Sequence, residues 1–356
     1  MSKEIKFNYQ TICNNLLKEL PSRSQDILEK RLGLNLEARG EEKMTLEAIG
    51  KEYNLTRERV RQIEEDSLDR IKEVAKINCE ALFRFFEEKI RIFGSLKKED
   101  NLVSELSSQN WDKNQILFLL TLNPQFQRFK ETEDFYSFWT VDLNSITLAS
   151  KVINNFIETL NQKNKPMTLE QYIKSKSPIS KFGLSSSKVL FSYLEVSKRI
   201  LRNSQGLYGF SDWPEINPKG VKDKAYLALK KEQKPLHFAE IAELVGKISQ
   251  GEELSESGKP LLPKVQTVHN ELIRDAKFVL VGRGVYALSE WGYQPGQVRD
   301  IIFNTLKEVK KPLSKSEILK KVLKQRLVKE NTILLNLNNK KYFLRDSQGR
   351  YRARLA

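Results

Sequence analysis

The chain has 356 residues, 39% of them hydrophobic and 30% charged. That is enough apolar material for real cores and excludes wholesale disorder, and at roughly 150 residues per domain it predicts two to three domains. Lys and Arg number 61 against 46 Asp and Glu, a net charge of +15 that points to a polyanionic partner.

Other function classes are disfavoured. Met1-Ser2-Lys3-Glu4 lacks the apolar core of a signal peptide, and the longest apolar run, near Ile116–Leu120, is too short to span a bilayer. A cytoplasmic protein with no membrane partner is expected. Cys13 and Cys79 read as structural thiols in a reducing compartment, since two cysteines make neither a disulfide framework nor a zinc site alone. His237 and His269, the only histidines, stand in no ligand or catalytic spacing. No Gly-rich phosphate loop ends in Lys-Ser/Thr, and no Gly-x-Ser-x-Gly elbow occurs. The expectation is a non-enzyme with no cofactor, no metal and no small-molecule substrate.

In chain order, the first pattern is a helix pair. Leu46, Ile49 and Tyr53 recur at three- and four-residue steps. Asn54 suits a tight left-handed turn, and Thr56 is a good N-cap for a second helix with Val60 and Ile63 inward and Ile71 and Val74 continuing the stripe. Gly50 lets the two helices approach closely. This is a helix-turn-helix pattern. Its second helix turns Arg57, Glu58, Arg61 and Gln62 outward, side chains that pair with guanine, cytosine and adenine edges in a major groove.

The residues carry a resemblance. Thr56-Arg57-Glu58-Arg59-Val60-Arg61-Gln62-Ile63-Glu64, preceded by Thr45-Leu46-Glu47-Ala48-Ile49-Gly50, closely resembles region 4 of the primary-type bacterial sigma factors. The match extends upstream through Leu20-Pro21-Ser22-Arg23 and Ile27–Leu34, covering roughly residues 15–76. The resemblance implies reading of promoter duplex DNA at the minus-35 box and docking on the flap of the RNA polymerase core. It implies base contacts from Arg57, Glu58 and Gln62, and phosphate contacts near Thr45, Leu46, Thr56, Arg59 and Arg61. The aromatic-rich melting helix of region 2 is not found, so opening of promoters by this protein alone is not expected.

The remainder looks repeated. Lys165-Pro166-Met167-Thr168, Lys234-Pro235-Leu236-His237 and Lys311-Pro312-Leu313-Ser314 each follow an amphipathic helix, at Val152–Leu160, Ala225–Lys230 and Val298–Val309. Proline stops that helix, and the polar residue two places on caps the next. Each copy ends in Gly-x-Tyr, at Gly206-Leu207-Tyr208, Gly284-Val285-Tyr286 and Gly349-Arg350-Tyr351, after a strand at 199–201, 278–280 or 342–344. Three helices and a two-stranded hairpin make a winged helix. A repeat near ~70 residues is too long for a solenoid and predicts a string of small domains. A diverged fourth copy is expected at 78–142, with a helix at Leu82–Phe93 and a wing at Phe126–Trp139. Phe83, Phe85, Phe86 and Phe93 there read as core, and Trp139, Trp213 and Trp291 as packing at module ends.

Pro235–Ile241, Phe278-Val279-Leu280 and Tyr286–Tyr293 together look like a HARE-HTH domain, the winged-helix type of the delta subunit of some bacterial RNA polymerases. Ser249–Lys259 reads as a loose insertion. The fold class expected is mainly α: a sigma region 4-like helix-turn-helix followed by three or four winged-helix modules, each α plus a small β-hairpin. The boundaries are 1–77, 78–144, 145–217, 218–293 and 294–356.

Charge is unevenly spread. Residues 1–77 are neutral, residues 78–150 are slightly acidic and read as a spacer or protein-binding unit, and most of the basic excess lies in 294–356. Lys340, Lys341, Arg345, Arg350 and Arg352 are candidate phosphate contacts there, with Lys329, Asn331 and Arg354 nearby. The expected function is a sigma-like DNA-binding transcription regulator. The alternative is an interaction module that occupies RNA polymerase in competition with sigma factors without reading sequence.

Overall fold

The computed structural model describes residues 7–34, 43–107, 113–249 and 263–354. The insertion expected at Ser249–Lys259 lies almost wholly outside these residues. The fold is mainly helical with small antiparallel sheets, and the chain forms two compact units, 1–211 and 212–356. Among the described residues no helix is long and apolar enough to cross a membrane.

Among the described residues four helices open the first unit: α1 (Tyr9–Leu17), α2 (Ser22–Leu32), α3 (Leu46–Tyr53) and α4 (Arg57–Asn78). Then one order of elements, helix, strand, helix, helix, hairpin, recurs. It runs first through α5 (Glu80–Ile92), β1 (Leu96–Lys98), α6 (Glu99–Leu106), α7 (Lys113–Thr121), β2 (Gln127–Phe129) and β3 (Phe138–Thr140). It runs again through α8 (Asn144–Lys163), β4 (Met167–Thr168), α9 (Leu169–Lys176), the short α10 (Pro178–Lys181), α11 (Ser187–Glu195), β5 (Ile200–Arg202) and β6 (Leu207–Phe210). The second unit holds α12 (Gly220–Glu232), β7 (Leu236–His237), α13 (Phe238–Ser249), α14 (Val265–Arg274), β8 (Phe278–Gly282) and β9 (Val285–Leu288). It ends with α15 (Val298–Val309), α16 (Lys315–Leu323), α17 (Glu330–Leu337), β10 (Phe343–Arg345) and β11 (Tyr351–Ala353). The last strand is central in each three-stranded sheet, in the orders β1-β3-β2, β4-β6-β5 and β7-β9-β8. In the last segment a single bridge, Leu313 to Tyr351, replaces the first strand.

The repeat has a physical basis. The first helix of three segments ends at a residue in the left-handed region, Asn164, Gln233 or Lys310, each two places before the proline. Proline is therefore not the stop, as expected from the sequence: the chain has already left the helix, and proline holds the extended backbone that follows. The residue after proline pairs with the tyrosine of Gly-x-Tyr, Met167 with Tyr208, Leu236 with Tyr286 and Leu313 with Tyr351. Next, Thr168 and Ser314 cap α9 and α16 through capping boxes, and His237 Nδ1 accepts from the Ala239 amide at 3.3 Å. Gly206, Gly284 and Gly349 turn the hairpins with φ near +80°, +70° and +80°.

The helix-turn-helix has only a small core of its own, Ile27, Ile49 and Val60. Its larger apolar surface is continuous with the next segment. Tyr9, Cys13, Leu16 and Leu17 of α1 and Ile71 and Ala75 of α4 share one core with Phe83, Phe86, Leu119, Phe126 and Trp139. Phe83 and Phe86 are buried as expected, and Phe85 packs partly buried against this core. The Tyr9 hydroxyl donates to the Leu106 carbonyl at 2.7 Å, and Asn114 Nδ2 donates to the Gly33 carbonyl at 3.0 Å.

The third segment docks on the second through α11. Ser192 Oγ donates to the Leu96 carbonyl at 2.6 Å and Tyr193 Oη to the Gly94 carbonyl at 2.8 Å. Lys97 Nζ lies 2.8 Å from Glu195 Oε1 with side chains only 3% and 8% exposed. Gly94 is required here, since a Cβ would lie 2.4 Å from Val189 Cγ1 and φ is +79°. The loop between β2 and β3 joins the same seam, with Phe135 bridging Ser197 and the Tyr136 amide donating to the Val196 carbonyl at 2.9 Å.

Burial pushes the phenols of Tyr193 and Tyr208 up to about 12. A phenol whose pKa is raised by folding contributes stability that is present below the ordinary value of ~10 and lost as pH rises through the folded value. The urea midpoint of the chain should therefore fall between about pH 10 and pH 12, and by less in Tyr193→Phe. An identical alkaline fall in wild type and Tyr193→Phe would show that Tyr193 does not contribute to it.

Candidate nucleic-acid interface

The candidate face is built by two caps and a tight turn. The Thr45 hydroxyl accepts from the Ala48 amide at 3.2 Å and starts α3. Asn54 ends it in the left-handed region with φ 52°. The Thr56 hydroxyl accepts from the Arg59 amide at 3.1 Å and starts α4. Each cap satisfies an orphan helix donor. A Cβ on Gly50 would sit 2.7 Å from the Leu55 carbonyl oxygen, so the missing side chain makes room for the turn backbone rather than for α4 as a whole. Leu46 is half-buried and packs against the Ile27, Ile49 and Val60 core, so only its backbone is available to a phosphate.

Arg57, Glu58, Arg59 and Gln62 are exposed along the first turns of α4. They do not stand alone. Arg61 Nη2 donates to Glu58 Oε1 at 2.7 Å and its Nε to Glu58 Oε2 at 3.0 Å, while Nη1 pairs with Glu65. Arg59 Nη1 donates to Gln62 Oε1 at 3.1 Å. The Arg61 hydrogen bonds hold the Glu58 carboxyl below its usual range, so it stays an acceptor at neutral pH. Among the described residues the Arg57 guanidinium has no hydrogen-bond partner.

Sequence reasoning missed the residues that hold this face. Arg23 Nη2 donates to the Tyr53 carbonyl at 3.1 Å, an orphan acceptor at the end of α3. Lys30 bridges α2 and α3 through Glu52 and the Tyr53 hydroxyl. Arg31 reaches Glu64 of α4 at 3.2 Å and the Met44 carbonyl at 3.2 Å. These partners lie 13 to 33 residues apart, beyond any helical spacing, and in sequence the cations of α2 read as a solvated face.

Residues 16–73 match the family model for Sigma-70, region 4. That family is a DNA-binding helix-turn-helix that contacts minus-35 promoter DNA and RNA polymerase. The matched residues run from the end of α1 to within α4. They include Thr45, Leu46, Thr56 and every candidate on α4.

The second candidate group lies in the second unit. Lys340 and Lys341 follow α17, and Arg345, Arg350 and Arg352 lie on the β10–β11 hairpin, all exposed. Arg350 Nε donates to Asp346 at 3.1 Å, and Arg345 lies over the Tyr351 ring at 5.8 Å. Arg352 lies on β11, with Arg350 immediately before the strand and Arg354 immediately after it. Arg354 Nη1 donates to the Lys340 carbonyl at 3.3 Å, which joins that segment to the end of α17.

The third helices of the four repeated segments are not equivalent. Five residues are buried in α7, and five in α11. Only Val268 and Leu272 are buried in α14, and only Ile333 and Leu337 in α17. A helix apolar on two faces is packed on two sides. The segment acidic in sequence thus uses its third helix and its wing loop for contacts within the chain.

Proposed function

We propose that this protein is a non-enzymatic, cytoplasmic transcription regulator that reads a minus-35-like promoter duplex through α4 and contacts the RNA polymerase core. The observation that carries the reading is the set of Arg57, Glu58 and Gln62, exposed side by side behind the Thr56 cap in a segment that matches region 4. Arg reads guanine, Gln adenine, and Glu accepts from cytosine. Thr45, Leu46, Thr56, Arg59 and Arg61 supply phosphate contacts at the two helix starts. The following segments act as winged helices bounded near 78–144, 145–217, 218–293 and 294–356, the fourth of the five modules being of the HARE-HTH kind. Lys340, Lys341, Arg345, Arg350 and Arg352 add sequence-independent phosphate contacts.

Fluorescence anisotropy of the full chain on a minus-35-like and a scrambled duplex, over a salt series and with and without polymerase core, tests the reading. Arg57→Ala should cost about 1–3 kcal/mol on the promoter duplex and relax selection at one base. An equal loss on the scrambled duplex would remove Arg57 from base reading. A second reading rests on the mutual pairing of Glu58 with Arg61 and of Arg59 with Gln62 on a segment of zero net charge. Such a face also suits a module that occupies polymerase and displaces sigma factors without reading sequence. Equal binding to both duplexes, with no discrimination when core is added, favours it.

A further inference from the structure

We propose that α17 and the β10–β11 hairpin form a second base-reading head, selective for A·T-rich duplex DNA. The inference deepens the DNA-binding reading above but rests on a different surface. The first observation is negative selection among the repeats: α7 and α11 are packed on both sides, whereas α17 buries one face only. The second is the chemistry of the face it leaves open. Asn331, Thr332, Leu335, Asn338 and Asn339 are exposed there, Leu335 at 72%. Asn331, Leu335 and Asn338 are four and three residues apart and form one stripe. Asparagine makes two hydrogen bonds with adenine N6 and N7, and an aliphatic side chain meets the thymine methyl. The stripe carries no cation or anion, so it lacks the arginine or lysine that most often pairs with guanine O6 and N7.

The third observation is charge. Residues 294–356 hold most of the basic excess of the chain. Arg352 lies on the paired hairpin, flanked in sequence by Arg350 and Arg354, and Arg354 reaches the Lys340 carbonyl just past α17. A·T tracts have a narrow minor groove whose potential attracts arginine. A helix that selects adenine and thymine and a hairpin that supplies arginine therefore favour the same kind of duplex. An exposed leucine on a helix also fits a protein partner, but sixteen Lys and Arg against five acids around it favour a polyanion.

The test uses the full chain carrying Arg57→Ala, so that reading by α4 is already impaired. Anisotropy is recorded on two duplexes of equal length without a minus-35 element, one A·T-rich and one G·C-rich. The Arg57→Ala chain should prefer the A·T-rich duplex by about tenfold, within the range of one good base contact. Adding Asn331→Ala and Leu335→Ala should abolish that preference, with the thermal midpoint unchanged because both side chains are exposed. Replacing Arg350, Arg352 and Arg354 by Gln should reduce the slope of log K against log salt by roughly 0.9 per lost phosphate contact. No preference in the Arg57→Ala chain, or a preference that survives Asn331→Ala with Leu335→Ala, overturns the proposal. A shift in elution volume with Leu335→Ala and no change in preference assigns the stripe to a protein contact and also overturns it. Failure of the α4 reading shows separately, as loss of discrimination between promoter and scrambled duplex by the unmodified chain.

Discussion

Replacing Glu195 with alanine is expected to destabilise residues 7–211 by about 3–5 kcal/mol, the cost of leaving one partner of a buried ion pair alone. The Lys97 ammonium is 2.8 Å from the carboxylate and nearly sealed from solvent. It also lies 4.0 Å from the centre of the Phe93 ring and 5.4 Å from that of Phe191. Those ring faces favour a cation but do not replace a carboxylate. Asn101 would lose its acceptor on Glu195 as well. Lys97→Met together with Glu195→Leu removes both charges and should restore most of the loss, because an apolar pair of similar volume avoids the desolvation penalty. Denaturant midpoints of the three chains decide the matter. A loss below 1 kcal/mol in Glu195→Ala would show that the pair behaves as a surface pair.

Phe86→Ala should cost about 3–5 kcal/mol, the range for deleting a fully buried aromatic ring. Phe86 has no exposure, and its ring packs 6.0 Å from Tyr9 and 6.2 Å from Phe126. The substitution lies outside the region 4 match, yet it removes the floor on which α1 and the end of α4 rest. Amide exchange should therefore accelerate in α1 as well as in α5. Exchange confined to α5 would mean that the two halves of the shared core open separately.

Much of this was legible in the sequence because it depends on local chemistry. Thr56 and Asn54 announced a cap and a left-handed turn, and each has that role, whereas Gly50, read as letting the helices approach, instead makes room for the turn backbone at Leu55. The Lys-Pro and Gly-x-Tyr pairs marked the repeat because one residue after each proline must face the buried tyrosine across the sheet. Even the diverged copy at 78–142 has strands within its expected wing. What was hidden is tertiary. Arg31 and Glu64 form a clamp that no spacing encodes. The docking of α11 leaves a trace in the sequence, since Val189, Leu190, Tyr193 and Leu194 are too many apolar residues for one exposed-backed helix, but that trace names no partner. The joint occupation of one core by α1 and α5 leaves none.

That shared core makes α4 and the segment after it a single thermodynamic system. The residues of α4 proposed to meet a base, and Ile71 and Ala75, which share the core with Phe86 and Leu119, belong to one continuous rod of 22 residues. Free energy gained where a ligand grips the outer end of the rod opposes unfolding at the inner end, and the exchange is reciprocal. The proposed reading head thus borrows its rigidity from the neighbouring segment, and that segment in turn registers whether the head is occupied.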